Sequence, residues 1–171
     1  MEMNEKVKAD CRHFKGYMPC KPHKQKGYHC NTCLEYQQIQ TKILIIKLCR
    51  AGEVIRNTPL LHRLRADYPR AKISWLTEYP ALIPKQMVDE IIPFKMENIF
   101  PLLTREFDLI LSLDKDAAAC TLAKLVHAKQ KKGFTINEHG GIIPLDKDAK
   151  EKWLTGIFDD AMKQNKKHYI K

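Results

Sequence analysis

From Thr41 onward the chain alternates short apolar runs with amphipathic stretches. KILIIKL (Lys42–Leu48) is almost continuously apolar, the pattern of a strand buried on both faces. The next stretch, CRAGEVIRNTPLLHRLRADYP, sets Val54, Ile55, Leu60, Leu61 and Leu64 near helical spacing. Pro59 falls inside that pattern and predicts a kink or a broken first turn, and Pro69 closes the segment. KISWLT (Lys72–Thr77) predicts a second strand, EYPALIP a short helical turn, EIIPF (Glu90–Phe94) a third strand, and ENIFPLLTRE a short helix with an internal proline. FDLILSL (Phe107–Leu113) predicts the fourth strand. DKDAAACTLAKLVHAK (Asp114–Lys129) predicts the best helix of the chain, with Asp114 as its cap and Leu122, Leu125 and Val126 as its apolar stripe. KKGFTIN predicts a fifth short strand and HGGIIPL a loop or short strand around a plain turn at His139. EKWLTGIFDDAMKQ predicts a final amphipathic helix with Trp153, Leu154, Ile157, Phe158 and Met162 on one side. The polar, basic ending KQNKKHYIK is expected to be a frayed terminus or a linker.

Strands alternating with helices predict an α/β, Rossmann-like parallel sheet with right-handed crossovers. Ligands of such sheets bind outside the carboxyl ends of the strands. That points to residues 48–56, 77–80 and 113–116. Residues 1–40 differ from the rest, being rich in Cys, His, Lys and Gly without a long apolar period. The expected division is a small module over 1–40, the sheet domain over 41–150, and a terminal helix or linker over 151–171.

Composition narrows the class. The chain has 171 residues, 44% of them hydrophobic, which is globular and long enough for a sizeable core. No apolar run reaches the roughly 18 residues of a membrane helix. The opening MEMNEKVKADC lacks the apolar core of a secretory signal, so a cytoplasmic protein is expected. The formal net charge of +10 is spread along the chain and suits an anionic partner: nucleic acid, a nucleotide-sugar, or an anionic lipid surface.

Four of the six cysteines fall within the first 33 residues, in the order Cys11-x8-Cys20-x9-Cys30-x2-Cys33. In a reducing compartment such a cluster points to metal rather than disulfides. Four thiolates can complete a tetrahedral zinc site or hold a [4Fe–4S] cluster. Cys20-x2-His23 is a second close pair, so His23 is an alternative ligand. Lys15, Lys21, Lys24 and Lys26 surround the thiols and favour their thiolate forms. Structural zinc is the first expectation and an iron–sulfur cluster the second. Cys120, outside the cluster, reads as a core residue.

The segment KILIIKLCRAGEVIRNTPLLHRL resembles the opening of glycosyltransferase family 9, the heptosyltransferases of lipopolysaccharide core synthesis. The residues that carry the likeness are Lys47, Leu48, Gly52, Glu53, Val54, Ile55, Thr58, Pro59, Leu60, Leu61 and Leu64. It continues through KISWLTEYPALI, VDEIIPF, FDLILSLDKD and KKGF, over roughly residues 42–160. The resemblance implies the N-terminal, acceptor-binding half of a two-domain GT-B enzyme with metal-independent, inverting chemistry. It implies an ADP-heptose-like nucleotide-sugar as donor and a lipid-linked saccharide as acceptor. Glu53 stands where the family usually has the aspartate that takes the acceptor proton, one methylene longer. Arg50, Gly52, Arg56, Thr58 and Asp114 are implied to bind substrate. Cys49 and Arg50 stand where small residues are common. Without the resemblance, Glu53 reads as a helix-start carboxylate favoured by the helix dipole.

On this reading the donor-binding half is missing, so the chain alone is expected to be a poor catalyst, with a separate C-terminal half as a possible partner. Peripheral contact with the inner face of the cytoplasmic membrane is expected from the charge and the acceptor, and no nucleic acid is expected. The competing reading is a non-catalytic, metal-containing module that binds nucleic acid or a partner protein, with Phe14, Tyr17 and Tyr28 available to stack on bases.

Overall fold

The computed structural model describes residues 6–164. The basic ending over 165–171 lies outside the described residues. Six strands form one sheet in the order β3-β2-β1-β4-β5-β6: β1 (Thr41–Ile46), β2 (Ala71–Thr77), β3 (Glu90–Pro93), β4 (Glu106–Ser112), β5 (His127–Ile136) and β6 (Ile142–Pro144). Every pairing is parallel except that of β5 with β6, so the sheet is mostly parallel rather than wholly so. The helices are α1 (Lys21–Lys26), α2 (Ala51–Asn57), α3 (Leu60–Asp67), α4 (Met96–Leu103), α5 (Ala117–Leu125), α6 (Lys147–Ile157) and α7 (Asp159–Gln164), with a 3-10 turn at Pro80–Leu82.

The central strand shows why the apolar run had to be continuous. Ile43 and Ile45 pack on one side with Val54, Leu61 and Leu64 of α2 and α3. Leu44 and Ile46 pack on the other with Leu102 of α4 and Leu122 and Ala123 of α5. Successive side chains point to opposite faces of a strand, so helices on both faces leave no position for a polar residue. The proline at position 59 splits α2 from α3, as its missing N–H requires.

Two helices depart from the sequence pattern. The expected helix over 114–129 is only Ala117–Leu125. Val126 turns extended, and His127 already pairs with Glu106 in the sheet. Ladder hydrogen bonds to β4 override the helical preference of the Ala/Lys sequence there. The final helix begins earlier, at Lys147, because Asp146 caps it by accepting from the Ala149 N–H at 3.0 Å. It also breaks at Phe158 into α6 and α7. Its expected single apolar side is divided: Trp153 is half-buried and its Nε1 donates to the Ile142 carbonyl, while Ile157, Phe158 and Met162 are exposed.

Residues 6–40 reach the sheet through Arg12. Its Nε donates to Asp89 at 2.5 Å, and Arg65 binds the other Asp89 oxygen at 2.9 Å. The Ile73 N–H donates to that same oxygen. Burial alone would raise the Asp89 pKa, but these donors hold it below the ordinary aspartate value.

Candidate functional site

The strand order reverses its direction of growth between β1 and β4, the place where an open α/β sheet leaves a crevice. A cavity of about 310 Å³ lies there, at the carboxyl ends of these two strands. It is lined by Cys49, Arg50 and Glu53 after β1, by Leu113, Asp114, Lys115 and Asp116 after β4, and by Lys152 of α6.

Lys47 organises the floor of this site. It follows β1 directly and is 1% exposed. Its ammonium donates to Glu53 Oε2 at 2.7 Å and to Asp114 Oδ1. Burial pulls its pKa down, but the two carboxylates outweigh that and raise it overall. Lys47 is therefore a fixed cation that joins the turn after β1 to the turn after β4.

Asp114 is not the cap of the helix after β4. It is 4% exposed and faces inward, accepting from the Leu48 N–H at 2.5 Å and from the Cys49 N–H at 3.4 Å. The cap is Asp116, whose Oδ1 accepts from the Ala119 N–H at 3.0 Å. An aspartate two residues upstream of the helix can instead reach across to β1, and here it closes the crevice floor.

Glu53 sits in the first turn of α2 with its side chain 31% exposed. The hydrogen bond from Lys47 holds its pKa below 4.5, against a smaller opposing effect of burial. It is ionised at neutral pH, anchored through one oxygen, and open to the cavity through the rest of the group. Arg50 lies 3.6 Å from the other oxygen. The Cys49 thiol is pushed up by burial and then by Asp114 and Asp116, which keeps it protonated.

The turn needs a left-handed residue, and the chain places Arg50 there rather than Gly52. Arg50 has φ 64° and ψ 92° and is the single non-glycine residue with positive φ among the described residues. Gly52 is helical, and a methyl group on it would meet nothing within 4 Å. The left-handed position of the turn thus falls two residues before Gly52. Strained backbone of this kind concentrates at functional sites. Arg50→Gly is expected to raise stability by up to about 1 kcal/mol, since the strain is relieved and the exposed pair with Glu53 contributes little. A melting temperature that falls instead would show that the Arg50 side chain outweighs its backbone.

Of the other residues expected to bind substrate, Arg56 and Thr58 do not line this cavity. Arg56 is exposed in the last turn of α2, and the Thr58 hydroxyl donates to the Ile55 carbonyl at 2.8 Å. The structure brings Arg50, Glu53 and Asp114 together and adds Lys47, Cys49, Lys115, Asp116 and Lys152. Lys115 has its pKa lowered by burial and then by the neighbouring Lys152. Cys49, Lys115 and Asp116 fall within the strand-end stretches 48–56 and 113–116, Lys47 is a charge closing an otherwise apolar strand, and only Lys152 left no trace in the sequence. His139 is exposed in a turn in which Asn137 Oδ1 accepts from the His139 and Gly141 N–H groups.

In the N-terminal module, Cys11, Cys20, Cys30 and Cys33 all carry free thiols and line one cavity of about 290 Å³ with His13, His23 and His29. Among the described residues, no three His, Cys, Asp or Glu side chains are gathered closely enough to hold a single ion. Nor is any helix among them long and apolar enough to cross a membrane.

No family model matches the chain, and no curated protein matches it. Solved structures do. The chain is similar to the glycosyl transferase family 9 protein of Veillonella parvula DSM 2008, at 22% identity over 56% of this chain and 32% of that one, with a TM-score of 0.45. It is similar to E. coli heptosyltransferase WaaC with ADP, at 21% identity over 54% and 34% of the two chains, with a TM-score of 0.47. The same enzyme with ADP-2-deoxy-2-fluoro heptose gives 20% identity, 54% and 36% coverage, and a TM-score of 0.46. The stretch matched spans about a third of the length of each of these proteins.

Proposed function

We propose that the sheet domain is the acceptor-binding half of an inverting glycosyltransferase, with Glu53 as its general base. The observation that carries this is a cavity-facing carboxylate, ionised and anchored by Lys47, at the mouth of the crevice between β1 and β4. A base must be within reach of the hydroxyl it deprotonates and held in a fixed orientation. The residue pattern around Lys47, Gly52 and Glu53 supports the same reading.

In the proposed reaction the acceptor oxygen attacks the anomeric carbon of a nucleotide-sugar. The bond from that carbon to the phosphate oxygen breaks, and the nucleoside diphosphate leaves with its electron pair. Glu53 takes the hydroxyl proton. Arg50, Lys115 and Lys152 line the same cavity and supply positive potential for a phosphate-bearing group. The donor is proposed to be of the ADP-heptose type and the acceptor a lipid-linked saccharide, brought to a basic chain at an anionic membrane surface. Turnover is proposed to require a donor-binding half.

Glu53→Gln is expected to lower kcat by about 10²–10⁴-fold in an enzyme completed by its donor-binding half. The acceptor dissociation constant should change little. The wild-type acid limb of kcat/KM should fall below pH 4.5, because the base is already ionised above it. Turnover unaffected by the substitution would remove Glu53 as the base.

A further inference from the structure

The 35 described residues ahead of β1 have almost no core. All the buried hydrophobic residues lie beyond them, and Pro22 is the one residue of this stretch that is buried among those described. Its backbone is held by an isolated bridge between Cys11 and Gln38, by hydrogen bonds from the Arg12 N–H to Gln37 and from the Ile39 N–H to Asp10, and by one six-residue helix. That is too little to specify a single conformation.

At its centre lies the cavity ringed by four free thiols. Two histidines add to the pattern. The His13 Nε2 atom is buried without a hydrogen-bond partner, a group that a buried site does not leave unsatisfied at no cost. His23 Nδ1 lies 3.0 Å from the Tyr28 carbonyl. A carbonyl only accepts, so Nδ1 is the donor in this contact and Nε2 is the nitrogen left to face a ligand. Metal-binding histidines are oriented by this kind of second contact.

From these observations we infer that Cys11, Cys20, Cys30 and Cys33 form a thiolate metal centre that holds the N-terminal module in its fold. Two occupants share this chemistry, a zinc ion and an iron–sulfur cluster. Zinc–sulfur bonds of 2.3 Å place tetrahedral ligands only about 3.8 Å apart. The four thiols ring the cavity without any three donors gathered at one ion. Either occupant therefore draws the thiol side chains inward. In both, the binding free energy is folding free energy for residues 6–40. This inference stands apart from the glycosyltransferase reading, and neither test bears on the other.

The test is metal analysis of the whole chain purified without oxygen and without added chelator. Metal-free protein is then titrated with Zn(II) or Co(II), and in parallel reconstituted with ferrous iron and sulfide. Zinc is indicated by one equivalent of metal with sulfur-to-cobalt charge-transfer absorbance. A cluster is indicated by about four irons and four sulfides per chain, with a broad visible absorbance that bleaches on reduction. Cys30→Ser and Cys33→Ser should each lose that stoichiometry.

Hydrogen exchange keeps the result readable if a variant loosens the module. Metal removal should abolish protection at the Arg12 and Ile39 amides, which carry the module's long-range hydrogen bonds, while β1 amides stay protected. Binding of neither metal, or full metal retention in Cys30→Ser and Cys33→Ser, overturns the inference. Retention in Cys11→Ser combined with loss in His23→Ala overturns the four-cysteine set in favour of His23 as a ligand.

Discussion

Truncating Lys47 to alanine is expected to cost the fold about 3–5 kcal/mol, the range for removing one partner of a buried ion pair. The side chain is almost fully enclosed, and two carboxylates converge on it from different turns. Without the ammonium, the buried Asp114 side chain is left with the Leu48 and Cys49 amides and the Cys49 thiol as its donors. Replacing both partners by apolar residues of similar volume often restores such a loss. Here it should restore only part. Lys47→Met with Asp114→Leu strands the Leu48 N–H, and an unsatisfied buried donor costs about 1–3 kcal/mol. Urea unfolding of wild type, single and double variants measures this directly. A single variant within 1 kcal/mol of wild type would mean that Lys47 is not the support of the site.

A comparable loss, about 3–5 kcal/mol, is expected for Gly133→Ala, from backbone strain and overpacking together. Gly133 pairs with Ser112 where β5 crosses the end of β4, at φ 97°. A methyl group there would stand 1.9 Å from the Ser112 carbonyl oxygen and 2.8 Å from its carbon. Neither contact is with a flexible side chain that could swing aside. The Gly133 N–H also donates to Asp146 Oδ2, and Asp146 caps α6, so displacing the strand disturbs the helix that carries Lys152. Circular dichroism melts and urea midpoints read out the loss. An alanine variant of wild-type stability would show that β5 slides past β4 without penalty. By comparison, alanine at Gly27 meets no atom within 4 Å and faces only its positive φ.

The strands were legible because burial on both faces forces near-continuous apolar runs, as in β1 and β4. Pro59 marked the break between α2 and α3 for an equally local reason. The end of α5 was not legible. Residues 127–129 join the sheet only because β4 lies alongside, and no local feature of His-Ala-Lys records that. The candidate site shows the same division. Glu53 is found from the pattern of the strand–helix turn. The separate duties of Asp114 and Asp116 depend on which one reaches across to Leu48, a distance in space rather than along the chain. Lys47 could be noticed as a charge at the end of an apolar strand, but its two carboxylate partners, 6 and 67 positions away, could not be assigned together from sequence.

The two outermost strands are brief and each closes in proline: β3 is the four residues Glu90–Pro93 and β6 the three residues Ile142–Pro144. Unpaired strand edges are templates on which further chains can add, and short length and proline are two ways to blunt them. At one border β6 covers only Phe134–Ile136 of β5, and the stretch of β5 before them, which pairs with β4 alone, carries Lys129, Lys131 and Lys132. Growth into edge-to-edge polymers is therefore discouraged by brevity and proline at the outer strands and by lysines along the open part of β5.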